Sequence, residues 1–245
     1  TIEEIFKTYI DYGKILKPYI SDVSVELFNA YKNGKNILFE GAQGMSLDVD
    51  HGIYPYTTSS NTGAGHISIG TGVSFKSVNR TIGVVKAYLS RVGESPLPTE
   101  LKDETGDHIR ENGGEYGTTT GRPRRIGWLD LVQVRQAVRV NGLTEIALTK
   151  LDVLNNIDEL LVCNAYEVGS DEIYEMPASL SDYRNAKPVY EKLKGWGEIP
   201  ENIWDKGFDK LPKEIKDYIA FIEKRIECRV TIVSVGPQRH ETIIR

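Results

Sequence analysis

TEIALTKLD, residues 144–152, joins a short apolar run to a polar tetrapeptide, and this combination indicates the fold class of the 245-residue chain. The run from Thr144 to Leu148 has the length and apolar content of a buried strand. Similar runs occur at residues 36–40, 80–92, 160–168 and 230–235. Strands that alternate with helical patterns predict an α/β domain with a mainly parallel central sheet. Ligands of such sheets bind at the carboxyl ends of the strands, so polar residues that follow a strand are the first candidates for a site.

Apolar residues at helical spacing predict the helices that flank this sheet. A first helix is expected within residues 1–33, and a second over about Ser21–Tyr31. The same periodicity occurs over Leu129–Val140 and Leu211–Cys228. No linker or internal repeat divides the chain, so residues 1–245 are interpreted as one α/β domain.

Composition and charge disfavour several classes of protein. The hydrophobic fraction of 40% and the charged fraction of 27% are ordinary for a globular protein. The net charge of −5 disfavours a nucleic-acid binder, and the apolar runs are too short to cross a membrane. Two cysteines without a CxxC and four histidines without an HxxxH disfavour a disulfide scaffold and a zinc enzyme. We therefore expect a cytoplasmic protein that binds anions in local basic pockets, with no membrane or nucleic-acid partner.

The most basic loop of this acidic chain is TTTGRPRR, which runs from Thr118 to Arg125. Hydroxyls and backbone N–H groups beside a glycine can surround a carboxylate or a phosphate. Arginine adds a planar fork of donors that matches either anion. The loop is therefore either an anion site or a solvated basic turn.

A second candidate is Thr149-Lys150-Leu151-Asp152, directly after the strand that ends at Leu148. It resembles the NKxD pattern of guanine sites. The carboxylate of Asp152 could accept hydrogen bonds from N1–H and the 2-amino group of guanine, which adenine cannot supply. The loop Ser234-Val235-Gly236-Pro237 ends another strand and could donate backbone N–H groups to O6 of the base. Either loop could also be a simple turn.

A third candidate begins at Gly41-Ala42-Gln43-Gly44. The amide of Gln43 could bind a purine edge or a phosphoryl group. Asp48, Asp50 and His51 follow, and a structural role is favoured over a metal site for them because no third ligand is evident on the same face. The chain contains neither GxxxxGK[ST] nor a GxGxxG between a strand and a helix.

Five long segments together resemble the adenylosuccinate synthetase family, whose members use GTP to join aspartate to IMP. The segments are FEGAQGMSLDVDHGIYPYTTSSNTGAG (39–65), GVVKAYLSRVGESPLPTE (83–100), EYGTTTGRPRRIGWLDLV (115–132), LTKLDVL (148–154) and IVSVGPQR (232–239). They run in the order of the family and cover nearly the whole chain. The resemblance implies a fold related to the P-loop NTPase architecture.

The resemblance also implies which residues bind each substrate. IMP would contact Gln43, Thr58, Val92 and Arg122. Aspartate would contact Thr118, Thr119, Thr120, Gly121, Arg122 and Arg124. GTP would contact Arg124, Lys150, Leu151, Asp152, Ser234, Val235 and Gly236.

The family reaction phosphorylates the 6-oxygen of IMP with GTP, and aspartate then displaces the phosphate. Its catalytic base, its acid and its Mg²⁺ ligands belong to GDEGKGK and GGHNAGH segments, which do not occur here. An IMP-phosphate segment like GTTGRGIGP is also absent. The chain therefore resembles the C-terminal portion of the enzyme, with Gln43 supporting catalysis but with no catalytic or metal-binding residue of its own.

These resemblances lead to expectations for the assembled protein and leave one alternative. The family implies a homodimer, Mg²⁺ as cofactor and GTP as co-substrate, and we expect residues 1–245 alone to have no turnover. The alternative is a purine-nucleotide-binding module without catalysis. A nucleic-acid binder that uses the RPRR run is disfavoured by the net charge and by the lack of interleaved aromatic residues.

Overall fold

The structure is a computed structural model that describes residues 1–118 and 121–245. The chain divides into two compact units. The first comprises Thr1–Gly41 with Gly65–Asn79, and the second comprises Ala42–Ala64 with Arg80–Arg245. The interpretation of residues 1–245 as one domain stays a prediction.

Within the described ranges the chain forms seven α-helices and ten strands. The helices are α1 (Ile2–Leu16), α2 (Val23–Lys32), α3 (His66–Thr71), α4 (Glu104–Gly113), α5 (Leu131–Asn141), α6 (Leu180–Asn185) and α7 (Lys213–Ile226). The strands are β1 (Ile82–Lys86), β2 (Tyr88–Arg91), β3 (Glu100–Leu101), β4 (Arg125–Asp130), β5 (Glu145–Thr149), β6 (Glu159–Val168), β7 (Asp171–Ile173), β8 (Lys187–Lys194), β9 (Arg229–Ser234) and β10 (Thr242–Ile244).

Side-chain caps fix the start of the two predicted N-terminal helices, which are both confirmed. Thr1 and Glu4 form a capping box at α1, in which each side chain bonds the backbone of the other. The carboxylate of Asp22 accepts the N–H of Val25 and so caps α2. Such caps contribute about 1 kcal/mol each.

The strand predicted at residues 36–40 is wrong. In the part of the chain that the structure describes, this segment pairs with no strand, and the side chain of Leu38 is 88% exposed. An apolar run indicates a tendency toward burial, but a strand also requires a neighbour that accepts and donates its backbone hydrogen bonds.

The first sheet has the order β1-β5-β9-β10. Strands β1, β5 and β9 are parallel to one another, and β10 is antiparallel to β9. In this register Lys86 lies opposite Thr149, and Leu148 lies opposite Val233. The residues that follow these three strands therefore leave the sheet at the same edge.

The second sheet has the order β2-β4-β6-β7, with β3 paired to β4 and β8 paired to β6. Only the pair β4 and β6 is parallel among its described pairings. The run predicted as one strand at 80–92 is two strands, because the chain leaves the first sheet after Lys86 and enters the second at Tyr88. The predicted α/β class is confirmed, with mixed sheets.

Helices α5 and α7 supply much of the apolar core beside these sheets. Ile215, Ile219 and Ile222 of α7 are fully buried in one cluster with the β5 residues Ile146 and Leu148. Burial of each such side chain contributes about 1.5–3 kcal/mol. The first sheet, whose edge loops are the site candidates, thus packs against a buried apolar helix face.

Candidate functional site

The loop after β5 turns sharply and buries one oxygen of a carboxylate. Lys150 has a φ of 66°, in the left-handed region that a side chain rarely adopts. Its Nζ donates to the carbonyl oxygen of Gly113 at 2.9 Å, which fixes the lysine against the end of α4. The backbone then forms a 3₁₀ turn over Asp152–Leu154.

Asp152 has the most informative side chain of this loop. Its Oδ1 atom is buried and has no hydrogen-bond partner. Burial raises the pKa of the Asp152 carboxyl above its ordinary value, and the nearby Glu241 adds to this effect. A buried acceptor without a donor costs about 1–3 kcal/mol, so a ligand that supplies N–H groups here would regain that energy.

The loop after β9 lies beside it. The hydroxyl of Ser234 donates to the carbonyl of Gly236 at 2.9 Å, and the N–H of Val235 donates to the carbonyl of Glu241 at 3.0 Å. A Cβ on Gly236 would lie 2.3 Å from a carboxylate oxygen of Glu241, so a larger residue would require the Glu241 side chain to move. Because Glu241 influences both Asp152 and this turn, the two loops form one polar region at the edge of the first sheet.

The basic loop between α4 and β4 is a backbone hairpin. Gly114 caps the end of α4 with a left-handed φ of 59°, and Tyr116 forms a bridge with Pro123. The N–H of Gly117 donates to the carbonyl of Arg122 at 2.8 Å. Of the predicted aspartate-binding residues, Thr118, Gly121, Arg122 and Arg124 lie on this hairpin, and the first three are exposed. Thr119 and Thr120 lie outside the described residues.

A buried glutamate under this hairpin was missed by the sequence reasoning. The carboxylate of Glu115 accepts hydrogen bonds from Lys86 Nζ at 2.5 Å, Tyr88 Oη at 2.7 Å and Arg124 Nη1 at 2.7 Å. Burial acts to raise the pKa of this carboxyl, but the bonds from Lys86 and Tyr88 outweigh burial and lower the pKa to about 2. The signals available in the sequence were Lys86 at the end of an apolar strand and Glu115 directly before the basic loop.

The candidate IMP residues are placed by the segment that begins at Ala42. The amide nitrogen of Gln43 donates to the hydroxyl of Thr58 at 3.0 Å, so the two predicted residues are brought together. Gln43 has a φ of 67°, which directs the chain through a strained turn at this point. Val92 follows β2 and is 60% exposed.

Asp48 holds this segment in shape. Its carboxylate is 1% exposed and accepts the backbone N–H groups of Asp50, His51, Thr62 and Gly63. Burial acts to raise the pKa of Asp48, but these four bonds dominate and lower it to about 2. This network is the structural role favoured by the sequence.

We predict that Asp48→Asn lowers the free energy of unfolding by about 1–3 kcal/mol, because the new amide group would face N–H donors. A depressed pKa means that the contribution of Asp48 is present above its ordinary pKa of 3.8 and is lost as the pH falls through about 2. Chemical denaturation at several pH values measures both effects. Asp50→Asn, at an exposed neighbour, is the control and should change the stability little; an equal loss in both variants would contradict the role of Asp48.

Two kinds of feature are absent from residues 1–118 and 121–245. No group of three or more His, Cys, Asp or Glu side chains in these ranges could hold a metal ion. No helix there has the length and apolar character needed to cross a membrane.

Parallel strands with polar loops at their carboxyl ends define an α/β protein of the kind that binds ligands at the sheet edge. The chain belongs to the adenylosuccinate synthetase family, because the model of that family matches residues 1–243.

Individual relatives agree with this assignment. Adenylosuccinate synthetases of Caldanaerobacter subterraneus subsp. tengcongensis and Thermodesulfovibrio yellowstonii are each 50% identical over 242 residues, which are 99% of this chain and 56% of each relative. The chain thus spans slightly more than half the length of these curated relatives. The structure of fully ligated adenylosuccinate synthetase from Plasmodium falciparum superposes with a TM-score of 0.92 at 39% identity, covering 99% of this chain and 58% of that one.

Proposed function

We propose that this chain supplies the guanine-nucleotide, aspartate and part of the IMP sites of an enzyme that ligates IMP and L-aspartate to adenylosuccinate at the expense of GTP. The observation that carries the proposal is the buried Oδ1 of Asp152, which has no partner at the edge where two strand-end loops meet. Membership of the adenylosuccinate synthetase family supports it.

Guanine fits the loops after β5 and β9. The carboxylate of Asp152 would accept from N1–H and the 2-amino group, while the backbone of the loop Ser234–Gly236 would donate to O6. Adenine would leave the buried Oδ1 of Asp152 without a donor, and a site of this kind discriminates by about 10⁴–10⁵-fold. Lys150, held by the carbonyl of Gly113, and Leu151 would complete the pocket around the base.

Aspartate and IMP fit the cationic hairpin and the segment that begins at Ala42. Arg122 and Arg124 would bind the carboxylates of aspartate with bidentate geometry, together with residues 118–121. Arg122 and the backbone of Val92 would contact the ribose of IMP. Gln43 would bind near the purine 6-position, and Thr58, its hydrogen-bond partner, would bind the IMP phosphate.

The proposed reaction has two steps. The γ-phosphoryl group of GTP is transferred to the 6-oxygen of IMP, and the amine of aspartate then attacks C6 and releases phosphate, which gives GDP, phosphate and adenylosuccinate. Residues of this chain would bind and orient the three substrates, and such positioning supplies a large share of the acceleration in phosphoryl transfer. Mg²⁺ would neutralise phosphoryl charge in the complete enzyme, with ligands from outside this chain.

The complete enzyme is proposed to be a homodimer in the cytoplasm. Size-exclusion chromatography with light scattering would test the subunit count, and a monomeric mass would refute the dimer.

The test of the function is formation of adenylosuccinate, followed by its absorbance. We expect the natural polypeptide that carries this chain to convert IMP, aspartate and GTP with Mg²⁺, and residues 1–245 alone to give no turnover. Binding of GDP without ligation by the natural polypeptide would instead identify a nucleotide-binding module. Full activity of residues 1–245 would refute the assignment of the base and the acid to other segments.

A further inference from the structure

One buried carboxylate serves as counter-ion for several cations beneath the basic hairpin. The side chain of Glu115 is 2% exposed, whereas those of its partners Lys86 and Arg124 are each 31% exposed. Lys150 and Arg124 both lie close enough to Lys86 to repel its charge. The carboxylate of Glu115 thus pairs with two cations, Lys86 and Arg124, while Lys150 also lies near the carboxylate of Asp152. The two cations outnumber the one carboxylate that they both contact, which favours an anionic ligand beside them.

Arg124 is attached to Glu115 at two points. Its Nη1 donates to Glu115 Oε2 at 2.7 Å, and its backbone N–H donates to the carbonyl oxygen of Glu115 at 2.9 Å. A guanidinium has five N–H donors, so the side-chain bond to Glu115 uses one of them. The carboxylate therefore fixes the direction of the arginine without saturating it.

Lys86 is fixed by the same carboxylate from the first sheet. Its Nζ donates to Glu115 Oε1 and, at 2.7 Å, to the hydroxyl of Ser90. Tyr88 adds a neutral donor to Oε1 of Glu115. The two cations thus bind different oxygens of one carboxylate and are held on either side of it.

We infer that Glu115 is a positioning residue, which holds Arg124 in the orientation that binds the carboxylates of the amino-acid substrate. This inference rests on the proposed function. Glu115 itself does not contact substrate: it acts through Arg124, and its removal lets the guanidinium swing away and forces the cations to repel one another.

Removal of the Glu115 side chain is expected to affect the binding of aspartate and the binding of GTP differently. Gly113, two residues before it, accepts the bond from Lys150 of the guanine loop through its backbone. That bond does not involve the Glu115 side chain. Loss of the carboxylate should therefore weaken the binding of aspartate much more than the binding of GTP.

The experiment is Glu115→Gln in the natural polypeptide, with KM measured separately for aspartate and GTP. We expect the KM for aspartate to rise at least about tenfold and the KM for GTP to change by less than about threefold. The matched control is Glu145→Gln. Glu145 is also buried, and its carboxylate accepts hydrogen bonds from Nε and Nη2 of Arg80 at 2.7 and 2.8 Å. It is the first residue of β5, whereas the site loop follows the last residue of that strand.

A second variant keeps the test valid if Glu115→Gln does not fold, because one unpaired buried cation can strongly destabilise a protein. In the double variant Glu115→Gln with Lys86→Gln, the ammonium is removed together with its counter-ion, and the KM for aspartate should still be raised. The control Glu145→Gln should lose stability but keep its KM for aspartate.

The outcomes distinguish this inference from the proposed function. Wild-type protein without ligation refutes the proposed function. Wild-type ligation with an unchanged aspartate KM in a folded Glu115 variant refutes the positioning role. Failure of both Glu115 variants to fold, while Glu145→Gln folds, also refutes it, because the carboxylate would then serve the fold alone.

Discussion

Asp152→Asn in the natural polypeptide is expected to lower kcat/KM for GTP at least about a hundredfold. The carboxylate would accept two charge-assisted hydrogen bonds from guanine, and such bonds contribute about 1.5–3 kcal/mol each. An asparagine amide keeps one oxygen but places an N–H donor where the base also donates. The same amide complements the 2-oxo group of xanthine, so the variant should gain activity with XTP relative to GTP.

The measurement is kcat/KM for GTP, XTP and ATP in the wild type and the variant. Asp158→Asn, the same change at an exposed position six residues along the chain, is the control and should keep the wild-type preference. An unchanged preference for GTP in Asp152→Asn would remove Asp152 from the guanine site.

The affinity for GTP should also depend on pH through the Asp152 carboxyl. Because burial raises the pKa of Asp152, acidification protonates this carboxyl earlier than an ordinary aspartate, and affinity for GTP is lost as the pH falls through that raised value. For the ligand-free fold the sign is opposite, since protonation relieves the buried charge and adds stability as the pH falls. GTP affinity in Asp152→Asn should lack this dependence on acidification.

Arg122→Leu is expected to raise the KM for aspartate by roughly 10- to 100-fold. Loss of one charge-assisted bond of about 1.5–3 kcal/mol corresponds to this range, at about 1.4 kcal/mol for each factor of ten. The KM for IMP should also rise, because the same guanidinium is proposed to contact the ribose. The fold should persist, since the side chain lies on the exposed surface of the hairpin.

Initial rates over a range of aspartate and IMP concentrations test this result. Arg139→Leu is the control: Arg139 pairs with Glu175 at 2.8 Å on the surface, with both side chains about 60% exposed, and such pairs contribute little. If Arg122→Leu left aspartate and IMP kinetics at the wild-type values, the assignment of the basic hairpin would be wrong.

The strands that carry the site loops were predictable because they are buried. Strands β5 and β9 are apolar runs followed by polar turns, which is the usual pattern of parallel strands covered on both faces. Strand β8 was not predicted, because its sequence KPVYEKLK is charged at half of its positions and only part of each residue is buried. An antiparallel hairpin with one solvated face gives a weaker signal than a buried run.

The contacts within the site were less predictable than its loops. Glu115 bonds to Lys86, Tyr88 and Arg124, which lie 29, 27 and 9 residues away in the chain. No local sequence pattern predicts that the end of a strand and a hairpin contact the same carboxylate. Likewise, the sequence suggested a guanine-reading role for Asp152, but only the fold reveals that its Oδ1 is buried without a donor.

The most direct measurement is a crystal structure of the natural polypeptide bound to GDP, IMP and succinate. N1 and the 2-amino group of guanine should lie within about 3.2 Å of the Asp152 carboxylate. A carboxylate of succinate should bind Arg122 and Arg124. Guanine bound away from the loops after β5 and β9, or succinate bound away from the hairpin at saturating concentration, would contradict the proposed sites.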